Sequence, residues 1–264
     1  MSKDTAIYDN PTFLANYLDL PRQQQGHDGA PEWPILMAMV GTVREERVLD
    51  LGCGLGWFAH WAVENSAQHV DVLDVSNKMI EKAKGMTASL PKRIDFRVQD
   101  ISSRDLGVSP GSYNLVYSSL AFHHLSTAAF KRLLAQVNSA LVHGGRLVFS
   151  VEHPIYTAPG YDQFVKVDLP GRHGADLIWP LNRYGYEGLR ETNWLGGEVK
   201  KYHRTMTTYF ESLLEAGFLV SGFREYMATG EDLEKNPQWQ GALQRPMFLL
   251  LQAENTARTQ PQEG

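Results

Sequence analysis

One cysteine in 264 residues, Cys53, leaves no partner for an intrachain disulfide, so the chain must rely on a packed core and no oxidising compartment is implied. No stretch reaches the ~18 apolar residues of a transmembrane helix, and Met1-Ser2-Lys3-Asp4-Thr5 carries none of the apolar core of a signal peptide. The expected location is therefore cytoplasmic, without a membrane partner. Lysine and arginine are scattered, and the net charge is −5 with a pI near 6.0. No basic stripe can follow a phosphate backbone, which disfavours a long nucleic acid as partner without excluding a tRNA. No His-x-x-x-His pair falls on one helix, and adjacent His123 and His124 would point apart, so no metal site is expected.

The composition, 43% hydrophobic and 21% charged, suits one compact α/β domain with an elaboration. Its informative stretch is Val48-Leu49-Asp50-Leu51-Gly52-Cys53-Gly54-Leu55-Gly56, an apolar run that stops at three glycines and leads into an amphipathic segment. Strand, tight turn and helix start follow, with glycines where a backbone must take positive φ or lie against a ligand. Cys53 is a small residue beside glycines with no cationic neighbour in sequence to activate it, and is not expected to be a nucleophile. The spacing departs from the dinucleotide fingerprint G-x-G-x-x-G, which disfavours a dehydrogenase. About twenty residues on, the strand-like His69–Asp74 ends in an acid able to accept from both hydroxyls of a ribose.

The loop resembles the Asp/Glu-x-Gly-x-Gly-x-Gly motif of class I S-adenosylmethionine (SAM)-dependent methyltransferases, through Asp50, Gly52, Gly54 and Gly56. The resemblance implies a Rossmann-like, doubly wound, seven-stranded α/β sheet with a last antiparallel strand over residues 245–253. It also implies SAM as cofactor and S-adenosyl-L-homocysteine (SAH) as product. Asp74 would hold the ribose, Val75 and Met79 would lie at the adenine, with Ser76 capping the helix, and Asp100 would hold the adenine amino group. Ile101, Ser118 and Tyr17 complete the implied cofactor contacts.

The expected organisation is a helical cap over 1–40, a methyltransferase domain over 41–253 and a disordered polar tail over 254–264. In similar small-molecule enzymes a Tyr-bearing N-terminal segment folds over the cofactor, which brings Tyr8 and Tyr17 into consideration. Tyr113–Leu125 reads as a strand releasing into Leu-x-x-His-His, a run shared with that group, and the fifth strand ends in Glu152-His153-Pro154. His124 is the first choice of general base, followed by His153 and His203, since imidazole titrates near neutral pH. Residues 155–200 interrupt the alternation with many aromatics and glycines and read as an irregular lid. The function implied is methylation of an oxygen or nitrogen on a small, aromatic or apolar acceptor by a monomer or homodimer. Rival readings are a SAM- or SAH-binding protein that does not methylate, acting as a sensor or a catalyst of pericyclic rearrangement, and a tRNA methyltransferase.

Overall fold

The computed structural model describes residues 7–160, 164–168, 170–171 and 175–256. Residues 1–5, Tyr161 and the tail from 257 lie outside them. Helix α1 (Pro11–Leu18) starts where the Asn10 side chain accepts from the amides of Thr12 and Phe13, with Pro11 in the first turn. The polar stretch after it is not a loop throughout, since it forms a one-turn helix α2 (Pro21–Gln24) and a 3₁₀ turn before α3 (Trp33–Val40). Then β1 (Arg47–Leu51), α4 (Trp57–Glu64), β2 (His69–Asp74), α5 (Asn77–Met86), β3 (Ile94–Val98), β4 (Tyr113–Ser119), α6 (Thr127–Ala140) and β5 (Leu141–Glu152) alternate. A four-residue helix α7 (Pro154–Thr157) precedes two hairpins, β6 (Val165–Asp168) with β7 (Ala175–Ile178) and β8 (Gly188–Trp194) with β9 (Gly197–His203). The chain ends through α8 (Met206–Glu215), β10 (Phe218–Tyr226), α9 (Gly230–Lys235) and β11 (Phe248–Asn255).

Seven strands form one sheet in the order β10-β11-β5-β4-β1-β2-β3, with β11 antiparallel to both neighbours. Both faces are covered, so strand residues alternate between two apolar layers. Leu49, Leu51 and Phe149 pack against Phe130 and Leu134 of α6 and Leu213 of α8. Val48, Val72 and Val148 pack against Leu36 of α3, Phe58 and Ala62 of α4 and Ile80 of α5. Each of these fully buried large side chains contributes about 1.5–3 kcal/mol of transfer free energy.

Two expectations need correction. The segment after β5 is not irregular, because successive residues of β8 and β9 pair antiparallel from Gly188–His203 to Trp194–Gly197. The polar tail does not begin at residue 254, because the Asn255 amide donates to the carbonyls of Asn138 and Leu141 and keeps β11 in the sheet through Asn255.

β1 pairs with β2 on one side and β4 on the other, so connections leave their carboxyl ends in opposite directions and open a crevice between them. The loops after Leu51, Asp74 and Ser119 all emerge there.

Candidate active site

A cavity of about 1320 Å³ fills this crevice. The glycine loop is fixed to the end of β2 by backbone bonds from Gly52 and Cys53 to the Leu73 carbonyl, at 2.8 and 3.3 Å. Asp74 completes the link, accepting from the amides of Gly54 and Ser76 at 2.9 Å each. Burial outweighs these bonds and pushes the Asp74 carboxyl up to about 6. Asp50 is 1% exposed, its pKa well above the usual carboxylate range through burial and then through Asp74, and its Oδ2 has no hydrogen-bond partner.

Gly54 has φ +54°, and a Cβ there would have just the Tyr17 hydroxyl within 4 Å, so the backbone edge lies open to the cavity. Gly56 differs. It is the left-handed N-cap of α4, and its added Cβ would press on Ala83 Cβ of α5 at 3.0 Å. This glycine permits close packing of α4 on α5 and does not line the cavity.

Tyr17, Asp50, Gly52, Gly54, Asp74, Val75, Met79, Asp100 and Ile101 all line the cavity. Ser118 does not: it is fully buried, and its hydroxyl donates to the Leu51 carbonyl at 2.8 Å, tying β4 to β1 beneath the crevice. The N-terminal segment closes one side. Ser76 Oγ donates to Asp9 Oδ1 at 2.7 Å and Lys78 Nζ to the Asp9 carbonyl at 2.6 Å. Asn16 donates to the Leu195 carbonyl at the β8–β9 turn, and Phe13 and Tyr17 meet Trp194 edge-on. Helix α1 and the β8–β9 hairpin thus meet over the cavity, bringing Tyr8 within 6.4 Å of the His124 ring.

The histidines separate by their hydrogen bonds. His124 lines the cavity, and its Nδ1 donates to the Lys200 carbonyl at 2.9 Å, which leaves the lone pair on Nε2. His123 also lines it, but its Nδ1 accepts from the Glu152 amide at 3.3 Å, so Nε2 carries the proton. Burial, with His124 and Lys201 nearby, holds His123 well below the usual imidazole range. His153 and His203 are corrected as base candidates, since neither reaches the cavity. His153 caps α7 by accepting from Ile155 and bonds Glu225 at 2.8 Å; His203 is fully buried, accepting from Thr157 and donating to the Tyr184 carbonyl at 2.9 Å.

Beyond the histidines the wall is aromatic and charged, with Tyr156, Phe164, Trp179, Trp194, Arg245 and the pair Glu152–Lys201, whose Oε1 and Nζ are 2.6 Å apart. In the sequence Arg245 stands at the start of the expected last strand, and no local pattern marks it otherwise. Leu120, at the end of β4, was also missed; it takes φ +53°, a conformation unusual without glycine, which aims the Ala121–His124 loop at the crevice.

The polar groups fit a cationic nucleoside: Asp50 offers an unpaired buried acceptor, Asp74 and Asp100 add carboxylates, and Gly54 leaves its backbone open. Comparison with known proteins agrees. The sequence model of the family described as Methyltransferase domain matches residues 48–145. The crystal structure of an S-adenosylmethionine-dependent methyltransferase from Mesorhizobium loti is 40% identical, aligns with 87% of this chain and 100% of that one, and has a TM-score of 0.76.

This chain belongs to the SAM-dependent methyltransferases.

A structure from Listeria monocytogenes is 35% identical over 84% of this methyltransferase and 97% of that chain, at a TM-score of 0.73. Malonyl-[acyl-carrier protein] O-methyltransferase of Erwinia billingiae is 32% identical over 151 residues, 56% of this chain and 53% of that protein. The chain thus spans about half of that relative's length. The seven-stranded class I fold and SAM as cofactor follow from the family. Among the described residues, no helix is long and apolar enough to cross a membrane.

Proposed function

We propose that the protein methylates an oxygen or nitrogen of a small molecule held between the His123–His124 loop and the aromatic wall. The observation that carries this reading is the imidazole of His124, which lines the same cavity as Gly54 and Asp74 while its Nδ1 is committed to the Lys200 carbonyl. When bound, SAM supplies a methyl carbon on a sulfonium whose leaving group is a neutral thioether.

The chain's own contribution is then binding, alignment and proton removal. Asp74 accepts from the ribose hydroxyls with the oxygen lone pairs not used by Gly54 and Ser76, and Asp50 Oδ2 accepts from the ammonium of the methionine moiety. Asp100 holds the adenine amino group, and Val75, Met79 and Ile101 supply its apolar surroundings. Tyr8 and Tyr17, both kept neutral by burial, line the cover formed by α1 and the β8–β9 hairpin, which keeps water from the reacting atoms. His124 Nε2 takes the proton from the acceptor's hydroxyl or ammonium. Alignment alone can supply roughly 7–11 kcal/mol, and a positioned base about 10²–10⁴-fold more. In this reading residues 1–40 act as a cap, 41–253 form the catalytic domain and 155–200 cover the acceptor.

The test is transfer of labelled methyl from SAM to a panel of hydroxyl- and amine-bearing small molecules, by wild type and His124→Asn. Turnover in the wild type, lowered at least about a hundredfold in the variant while SAM affinity is kept, supports the reading. Equal turnover in both removes His124 as the base.

A further inference from the structure

Arg245 lines the cavity at its acceptor end, against three aromatic rings. Its guanidinium carbon sits 4.0 Å from the ring centre of Trp179, 4.3 Å from that of Tyr156 and 5.4 Å from that of Phe164. Its Nε is buried and has no hydrogen-bond partner, and no carboxylate among the described residues comes within ion-pair distance of it. Aromatic faces attract a cation but do not accept its N–H bonds, and a guanidinium cannot shed its proton to escape the cost. Burial works against the charge, consistent with a pKa below the ordinary arginine value.

The neighbouring acid does not resolve this. Glu152 is felt electrostatically by Arg245, but its Oε1 is taken by Lys201 Nζ at 2.6 Å. Lys201 Nζ also stands 5.6 Å from the Tyr156 ring centre, so both cations lie against a single aromatic ring. Among the described residues Arg245 has no carboxylate of its own, and it faces a cavity walled by flat apolar surfaces. Glu152 Oε2 is buried without a partner and adds an acceptor at the same place. A half-buried cation, stacking surfaces and one spare acceptor describe the complement of a planar molecule with an anionic group and a hydrogen-bond donor.

We propose that Arg245 binds an anionic group on the methyl acceptor, and that the acceptor class is an aromatic acid. The inference rests on reading this end of the cavity as the acceptor site. The anion is a carboxylate or a phosphate, both of which suit the planar fork of a guanidinium. Stacked on Trp179, Tyr156 and Phe164, the fork is held in one orientation, so it fixes which part of the acceptor faces His124. Arg245 is thus a specificity-determining residue and takes no part in the methyl transfer itself.

The experiment uses the whole protein saturated with SAH and matched probes, benzoate, phenyl phosphate and the neutral isostere benzamide, followed by saturation-transfer NMR and calorimetry. At least one anionic probe is expected to bind about ten- to hundredfold more tightly than benzamide, the weight of a charge-assisted hydrogen bond, and the stronger of the two assigns the anion. Arg245→Gln should abolish that preference and leave benzamide unchanged, while Arg245→Lys keeps part of it. SAH affinity unchanged in both variants shows that they are folded. Equal binding of acids and amide, an undiminished preference in Arg245→Gln, or no acid binding up to about 10 mM overturns the inference. Failure of the wild type to bind SAH would instead overturn the cofactor placement, so the two failures are distinguishable.

Discussion

The two ends of the cavity are built in different ways. The proposed cofactor end comes from the loops after β1, β2 and β3, where Gly54, Asp74 and Asp100 lie within about fifty residues of sequence. The proposed acceptor end draws on the loop after β4 (His124), the end of β5 (Glu152), the first hairpin and its approach (Tyr156, Trp179), the second hairpin (Lys201) and the approach to β11 (Arg245). A cofactor site made from consecutive strand ends can be carried intact from one protein to another. An acceptor site assembled from distant insertions can change its ligand without disturbing the sheet.

If the division is real, substitutions on the two sides should affect different quantities. The largest effect is expected for His124→Asn, a loss of roughly 10²–10⁴ in kcat with SAM affinity within about twofold of wild type. A parallel loss of SAM affinity, measured by calorimetry, would break the division. Asp74→Ala should do the opposite. Removing the carboxylate that joins Gly54, Ser76 and the ribose should weaken SAM binding about a hundredfold, two hydrogen bonds to a charged group being worth ~3 kcal/mol in net terms. Trp194→Ala removes the ring that α1 meets on the second hairpin, and should raise KM for both ligands by about tenfold by loosening the shared cover. An effect confined to one ligand would assign that cover to one end.

The pH dependence separates the ends further. Ribose hydroxyls donating to Asp74 favour its ionised form, so binding should lower a pKa that stands at about 6 in the free protein. SAM affinity should therefore fall as pH drops from 7 to 5, by up to about tenfold, and binding near pH 6 should release a proton that buffers of different ionisation enthalpy reveal. At pH 8 the release should vanish. His123 gives a stability signal of opposite origin. Its folded pKa is depressed by burial, so the unfolded chain binds a proton below about 6.5 that the folded chain does not. Wild type should lose stability as pH falls through that value, and His123→Gln should lose less, as read by thermal unfolding.

Legibility followed the same division. Gly52, Gly54 and Asp74 are marked by position at strand ends, Val75, Met79, Asp100 and Ile101 by the family resemblance, and all line the cavity. Ser118 was misjudged because a strand's last polar residue can turn under the crevice as readily as into it, and here its hydroxyl joins β4 to β1. Among the histidines, proximity in sequence to the fifth strand could not distinguish a cap such as His153 from a cavity residue, since that depends on the 2.8 Å bond to Glu225 of a strand 72 residues later.

The residue pattern carried the strand, turn and helix start at the glycine loop and the acid that ends β2, because these rest on short-range rules: the period of a strand, the backbone freedom of glycine and the carboxyl end of a strand; the resemblance of that loop to a known family implied the seven-stranded sheet and the remaining cofactor residues. Packing decided which histidines line the cavity and which ring nitrogen of each is committed to a backbone group, where Arg245 lies, and how the second hairpin and α1 close over the site. Those features depend on side chains far apart in sequence meeting in space, and on which polar groups burial leaves without a partner, neither of which is encoded in a local pattern.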